Sequence, residues 1–205
     1  SSVIGEFIKF ISSAEYLCGH NIVSHDIKYL KPFLKKSYKL IDTLYLSPIL
    51  FPERPYHNLV KDDKIISDQL NNPLSDSLKA KQLFEDEFER FKNLPENIKR
   101  SYYDLLNEND HFKGFFEYAQ YSSNRFSYLF NSKADNISEI LKGMVCSKAN
   151  ISHIIESTST ELAYALAIIR TGDRYSITPA WVKHQFPLVD NIIHKLRGIN
   201  CGECK

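Results

Sequence analysis

The chain has 205 residues, of which 43% are hydrophobic and 25% are charged, and its formal net charge is +1. These values are typical of a folded globular protein and exclude an intrinsically disordered chain. The near-neutral charge argues against a protein that coats duplex nucleic acid through phosphate contacts, although an enzyme that holds only a strand end stays compatible. No apolar run approaches the roughly 18 residues of a membrane span and no leader pattern is present, so we expect no membrane association and a cytoplasmic location.

Helices and strands alternate in the predicted structure of the first half. Ser24 is predicted to cap the second helix, and Pro73 takes the first position of the longest one, after Asn72 as its cap. The predicted elements are helix 2–12, strand 16–18, a helix from His25 that Pro32 kinks or ends, strand 39–43, helix 44–50 and helix 72–92.

Only helical patterns follow residue 94. Thr158 and Glu161 form a capping-box pattern before a helix over 162–169, and Thr178-Pro179 opens a helix that is predicted to run toward Arg197. We therefore place a domain boundary near residue 92. Residues 1–92 form a predicted α/β domain, residues 93–205 form a predicted all-α region, and the whole chain is expected to be mostly helical.

Three segments of the first half carry polar residues that a folding pattern alone does not explain. They read GHNIVSHD (19–26), IDTLYLSPIL (41–50), and HNL followed by NNPLSDSLKAKQLF (71–84). In this order they resemble the later motifs of the DEDD exonuclease superfamily, which has a ribonuclease-H-like fold. The resemblance implies that Asp26 and Asp76 are the third and fourth metal-binding carboxylates, with His20, Asn21, His25 and His57 lining the same cleft.

The chemistry of that family requires several carboxylates together. Two Mg²⁺ or Mn²⁺ ions about 3.5–4 Å apart hold the attacking water and the leaving oxygen during phosphodiester hydrolysis. The family's opening strand, with its Asp-x-Glu motif, supplies two of the four ligands and has no counterpart here. Because the chain begins with Ser1 rather than Met, we expect it to be a piece of a longer protein, and we predict that this piece alone is inactive as a nuclease.

The C-terminal run SITPAWVKHQFPLVDNIIHKLRGINCGEC (176–204) extends the resemblance. Together with the segments above it is similar to the N-terminal region of bacterial RecQ-family ATP-dependent DNA helicases, in which an exonuclease-like domain and a helical linker precede the motor. This resemblance implies that single-stranded DNA 3′ ends and a helicase core in the same polypeptide are the partners. ATP would serve only that core, because these residues contain no phosphate-binding loop motif.

The position of the family's general base departs from the pattern. The histidine branch places this base five residues before the last Asp, where this chain has Asn71, and an amide does not titrate. The nearby histidines also have structural interpretations: His20 holds the loop through hydrogen bonds, His25 lies at the surface, and His57 is a capping or loop residue. A non-catalytic module that docks DNA or a protein and positions the helicase is therefore the alternative function.

Two further alternatives concern single features of the chain. Either aspartate could be present only because a negative charge in the first turn stabilises a helix through its dipole. The chain would then be an unrelated helical adaptor. Cys201 and Cys204 have the spacing of half a zinc site, and no second pair follows them.

Overall fold

In the computed structural model, residues 3–54, 56, 57, 73–123, 132–172, 178–199, 201 and 202 are described. The chain is mostly helical, as predicted, and contains a small sheet in its first half. The elements are α1 (Val3–Ile11), β1 (Tyr16–Gly19), a π-helical turn (Ile22–Asp26), α2 (Ile27–Leu30), a 3₁₀ turn (Lys31–Phe33), β2 (Lys39–Asp42), α3 (Thr43–Leu50), α4 (Pro73–Lys92), α5 (Glu96–Leu106), α6 (Lys113–Tyr118), α7 (Lys133–Ile140), α8 (Ile151–Arg170), α9 (Ala180–Gln185) and α10 (Val189–Leu196).

The two predicted strands form a parallel pair. The register places Tyr16 opposite Lys39 and Gly19 opposite Asp42, so both strands end at the same edge of the sheet. Helix α6 crosses close to β2, and a Cβ atom at Gly114 would overlap the carbonyl oxygen of Leu40. The absence of a side chain at this one position therefore lets the helix approach the strand backbone.

The segment after β1 differs from the prediction. The helical turn begins at Ile22, three residues before His25, and Asn21 before it has a left-handed backbone with φ of 67°. Ser24 does not cap the helix, since its hydroxyl makes a 2.8 Å hydrogen bond with the hydroxyl of Tyr45. A cap at Ser24 was the wrong interpretation because a tertiary partner, invisible in the local sequence, competes for this hydroxyl.

Two helices of the second half also differ from their predicted bounds. Helix α8 begins at Ile151 rather than near residue 162, and Thr158 lies at a kink within it, with φ of −151°. The predicted helix after Pro179 is broken into α9 and α10, which flank Pro187, a residue that cannot donate an intrahelical hydrogen bond. In the described part of the chain, even the two longest helices, α4 and α8, lack a stretch apolar enough to cross a membrane.

The hydrophobic core includes residues on both sides of residue 92. Ile41 and Leu46 from the first half belong to the same buried cluster as Leu166 and Leu196 from the second. Helix α3 packs against both α4 and α8, and the Tyr164 hydroxyl donates a 3.0 Å hydrogen bond to the Tyr45 carbonyl oxygen. Helix α3 is therefore covered by helices from both sides of residue 92. The domain boundary at this residue stays a prediction.

Candidate functional site

The ends of the two parallel strands bring the GHN turn and Asp42 together. One carboxylate oxygen of Asp42 accepts a 2.8 Å hydrogen bond from the Asn21 backbone N–H and a 3.1 Å bond from that of Leu44. The other oxygen accepts a 3.0 Å bond from the Val23 backbone N–H. One side chain therefore caps α3 and also fixes the turn that follows β1.

Asp42 itself is inaccessible to solvent, with an exposed fraction of 0%. Burial raises its pKa from 3.8 to about 6, although the three backbone N–H groups oppose this shift by stabilising the charged form. A side chain so enclosed cannot take a ligand from solution. Its role is to position the turn residues around it.

His20 is held by the same pair of strand ends. Its ring Nδ1 lies 3.0 Å from the hydroxyl oxygen of Thr43, and that hydroxyl also donates a 3.4 Å bond to the Gly19 carbonyl oxygen. Burial lowers the pKa of His20 from 6.5 to about 4, so the ring is neutral at neutral pH. These contacts agree with the interpretation that His20 holds the loop and disfavour a role as a proton carrier.

A cavity of about 720 Å³ lies beside this turn, and both predicted metal-binding aspartates line it. Asp26 is the last residue of the π-helical turn and is exposed, whereas Asp76 lies in the first turn of α4 and is half-buried. His20 and Ser77 also line the cavity. Two carboxylates that are 50 positions apart in the sequence therefore face one solvent-accessible space.

Three of the other predicted site residues lie elsewhere. Asn21, His25 and His57 do not line this cavity. The exposed ring of His25 stacks edge-on against Tyr29 instead, at 5.4 Å between centroids. Asn71, the substituted base position, lies outside the described residues.

His57 is a buried histidine with a structural partner. Its Nδ1 lies 2.8 Å from the Ser47 hydroxyl oxygen, and its exposed fraction is 6%. Burial, and secondarily the charge of Arg54, lowers its pKa from 6.5 to about 4. The Ser47 contact gives this buried ring a hydrogen-bond partner.

We expect His57 to make the protein sensitive to acid. Because its folded pKa is the lower one, the unfolded chain binds an extra proton between pH 6.5 and 4, and stability falls as the pH falls through this window. His57→Gln should reduce this loss by about 1–2 kcal/mol. Urea unfolding at pH 7 and pH 4.5 measures this loss of stability, and His184→Gln, at an exposed position, is the control. Equal pH slopes in all three proteins would contradict a buried neutral His57.

The donor atoms in the cavity meet only part of what a two-metal centre requires. Carboxylate oxygens are the ligands that Mg²⁺ and Mn²⁺ prefer, and Asp26 and Asp76 provide them. Within the described ranges, however, no three His, Cys, Asp or Glu side chains are arranged to hold a metal ion. The described residues therefore do not fit a two-metal centre by themselves.

Two buried carboxyl groups, those of Asp42 and Glu87, were not predicted from the sequence. Asp42 belongs to the IDTL segment, and its position at a parallel strand end would have placed it beside the GHN turn. Glu87 on α4 has an exposed fraction of 0%, and neither carboxyl oxygen has a hydrogen-bond partner among the residues that the structure describes. The signal that could have found Glu87 is helical spacing, because it lies three residues after Phe84 and four before Phe91, on the face of α4 that packs against the core.

Comparisons with protein-family models, with curated proteins and with solved structures gave no match to this chain. Any statement about its function therefore depends on the residues themselves. The residues that carry most weight are Asp26 and Asp76, because they are acidic, accessible and adjacent to one cavity.

Proposed function

We propose that this chain is the exonuclease-like region, of ribonuclease-H-like fold, of a cytoplasmic RecQ-type DNA helicase. In the intact protein it would act on single-stranded DNA 3′ ends by metal-dependent phosphodiester hydrolysis. The observation that carries the proposal is the shared cavity of Asp26 and Asp76. This juxtaposition also weighs against an unrelated helical adaptor, for which the two aspartates would have no reason to converge.

The proposed activity belongs to the intact protein. Asp26 and Asp76 would contribute two carboxylates, and the remaining ligands would have to come from residues outside the described ranges or from the rest of the intact protein. Neutral His20 is poorly suited to accept a proton, because its pKa is only about 4 and its Nδ1 is committed to Thr43. The chain alone is therefore expected to be inactive.

A non-catalytic docking module is the second candidate function. It is favoured by the Asn at position 71, where the resemblance calls for a histidine base, and by the low pKa of His20, the histidine among the described residues that line the cavity. In this case the cavity would position a DNA end or a partner without cleaving it.

The decisive experiment measures Mn²⁺-dependent degradation of single-stranded DNA with a labelled 3′ end by the intact protein. Asp26→Ala and Asp76→Ala should each lower the rate about 100- to 1000-fold, because each removes a carboxylate that would hold the metal ions at the reacting phosphate. Asp86→Asn is the matched control. It lies on the same helix as Asp76, about 15 Å further along by the rise of an α-helix, and does not line the cavity.

DNA binding in the presence of EDTA separates the two candidate functions. Degradation that is lost in both alanine variants and kept in Asp86→Asn supports the nuclease. Metal-independent binding with no degradation by any of the proteins supports the docking module. Equal degradation by all four proteins would overturn the assignment of Asp26 and Asp76.

A further inference from the structure

The proposed function leaves two features of the chain without a role. One is the terminal cysteine pair, of which Cys204 lies outside the described residues. The other is a large apolar surface, here called the apolar face, on α1, on α2 with the 3₁₀ turn after it, and on the start of α4. Eight of the thirteen exposed large hydrophobic side chains in the described ranges form it: Val3, Ile4, Phe7, Phe10, Tyr29, Phe33, Leu74 and Leu78.

The apolar face has the size of a protein–protein interface. Phe7 of α1, Tyr29 of α2 and Pro73 of α4 line the same cavity, so the three helices border one another. With exposed fractions of 37% to 84%, the four aromatic and four aliphatic side chains present roughly 700 Å². The largest apolar patch of a monomer is typically about 300–600 Å², whereas each partner of a stable complex covers about 800 Å². The face is therefore large enough to hold a partner protein.

Three residues of the apolar face form a stripe along α1. Val3, Phe7 and Phe10 are four and three positions apart, a spacing that places them on one side of a helix. Along the axis, Val3 lies about 6 Å to one side of Phe7 and Phe10 lies about 4.5 Å to the other. A second α1 that runs antiparallel therefore matches the stripe, with Phe7 against the partner's Phe7 and Val3 against the partner's Phe10. A two-fold dimer requires such a self-complementary surface.

The charges beside the stripe match in the same antiparallel arrangement. Glu6 and Lys9 lie on one flank of the stripe, three positions apart. Antiparallel packing brings Glu6 near the partner's Lys9, whereas parallel packing brings equal charges together. A helix that binds a membrane surface typically has a polar face rich in lysine and arginine, whereas α1 has one acidic and one basic residue. A second copy of the chain therefore suits this face better than a lipid surface does.

We propose that this chain forms a two-fold symmetric dimer in which α1 packs antiparallel against α1 of a second copy. Val3, Phe7 and Phe10 form the centre of the interface, and the exposed side chains of α2 and α4 form its edge. Because Phe7 also lines the cavity of Asp26 and Asp76, the second copy would lie beside that cavity and narrow its opening. The dimer does not require the proposed nuclease activity, so either inference can fail without the other.

Sedimentation velocity of the 205-residue chain over a range of concentrations tests the dimer. Interfaces of this size bind with micromolar or tighter affinity, so at about 50 μM most of the chain should sediment with twice the mass of a monomer. Phe10→Glu and Val3→Glu should each raise the dissociation constant at least about 100-fold, because the symmetry places two carboxylates in the apolar interface. Ile199→Glu makes the same kind of change at an exposed apolar residue outside the face, and its affinity should be unchanged.

Charge variants test the orientation of the two helices. Lys9→Glu places like charges together across the antiparallel interface and should weaken the dimer about 10-fold, and adding Glu6→Lys should restore it. Unchanged affinity in Lys9→Glu would contradict the antiparallel arrangement, and unchanged affinity in both Phe10→Glu and Val3→Glu would place the interface elsewhere. A monomer at every concentration would exclude the dimer, and its binding to phosphatidylserine vesicles, if lost in Phe10→Glu, would assign the face to a lipid surface. Circular dichroism checks that each variant is folded.

Discussion

Replacing Asp42 with alanine is expected to lower the free energy of unfolding by about 3 kcal/mol, because three backbone N–H groups lose their acceptor at once. Each donor left unpaired in a buried place costs about 1–3 kcal/mol, and relief of the buried negative charge offsets part of the sum. For a chain of this length the melting temperature should fall by about 6–12 °C. Urea unfolding and a thermal melt at pH 7 measure both quantities.

Two further variants show whether the hydrogen bonds are responsible. Asp42→Asn keeps an acceptor for the N–H groups of Asn21 and Leu44 but turns an amide N–H toward the Val23 N–H. It should therefore lower the free energy of unfolding by less than Asp42→Ala does. Asp26→Asn makes the same chemical change on an exposed residue of the same turn, and its stability should stay within about 0.5 kcal/mol. A destabilisation of Asp26→Asn equal to that of Asp42→Ala would contradict the role assigned to Asp42.

The two strands and the polar turn after the first of them could be predicted because the signals are local. Short apolar runs interrupted by a polar turn predict strands, and Pro73 marks the first residue of α4. Because parallel strands end at the same edge of a sheet, the polar residues that follow them lie close together, and this placement does not depend on the other elements of the fold. The placement of Asp26 beside Asp76 did not follow from these patterns. It was expected from the resemblance to a family.

The features that could not be predicted depend on tertiary partners. Ser24 looks like a helix cap, yet it bonds to Tyr45 across the site. His57 lies outside the helices and strands, as expected for a loop residue, but its ring is buried beside Ser47. In both cases the polar side chain forms a hydrogen bond with a residue of another segment, and local propensity contains no information about that partner.

Glu87 is expected to destabilise the folded protein at neutral pH. Burial, and secondarily the negative charge of Asp42, raises its pKa well above 4.5. Because the folded pKa is the higher one, the folded protein holds more protons above pH 4.5 than the unfolded chain does, so this group's contribution to stability declines as the pH rises. Glu87→Met has a similar volume and removes both unpaired oxygens, and it should raise the free energy of unfolding at pH 7 by about 3 kcal/mol.

Comparison of variants at two pH values tests the cause. Glu87→Gln removes the titration but keeps polar atoms in an apolar place, so its stability at pH 7 should lie between those of the unmodified protein and Glu87→Met. At pH 4.5 the advantage of both variants should shrink, because the unfolded chain is then also partly protonated at Glu87 and folding takes up fewer protons. The exposed Glu85→Gln on the same helix should change stability by less than about 0.5 kcal/mol at either pH. A Glu87→Met variant less stable than the unmodified protein at pH 7 would contradict this prediction and would indicate a cation that stabilises the carboxylate. Arg54 is the first residue to test, because its charge lowers the pKa of Glu87.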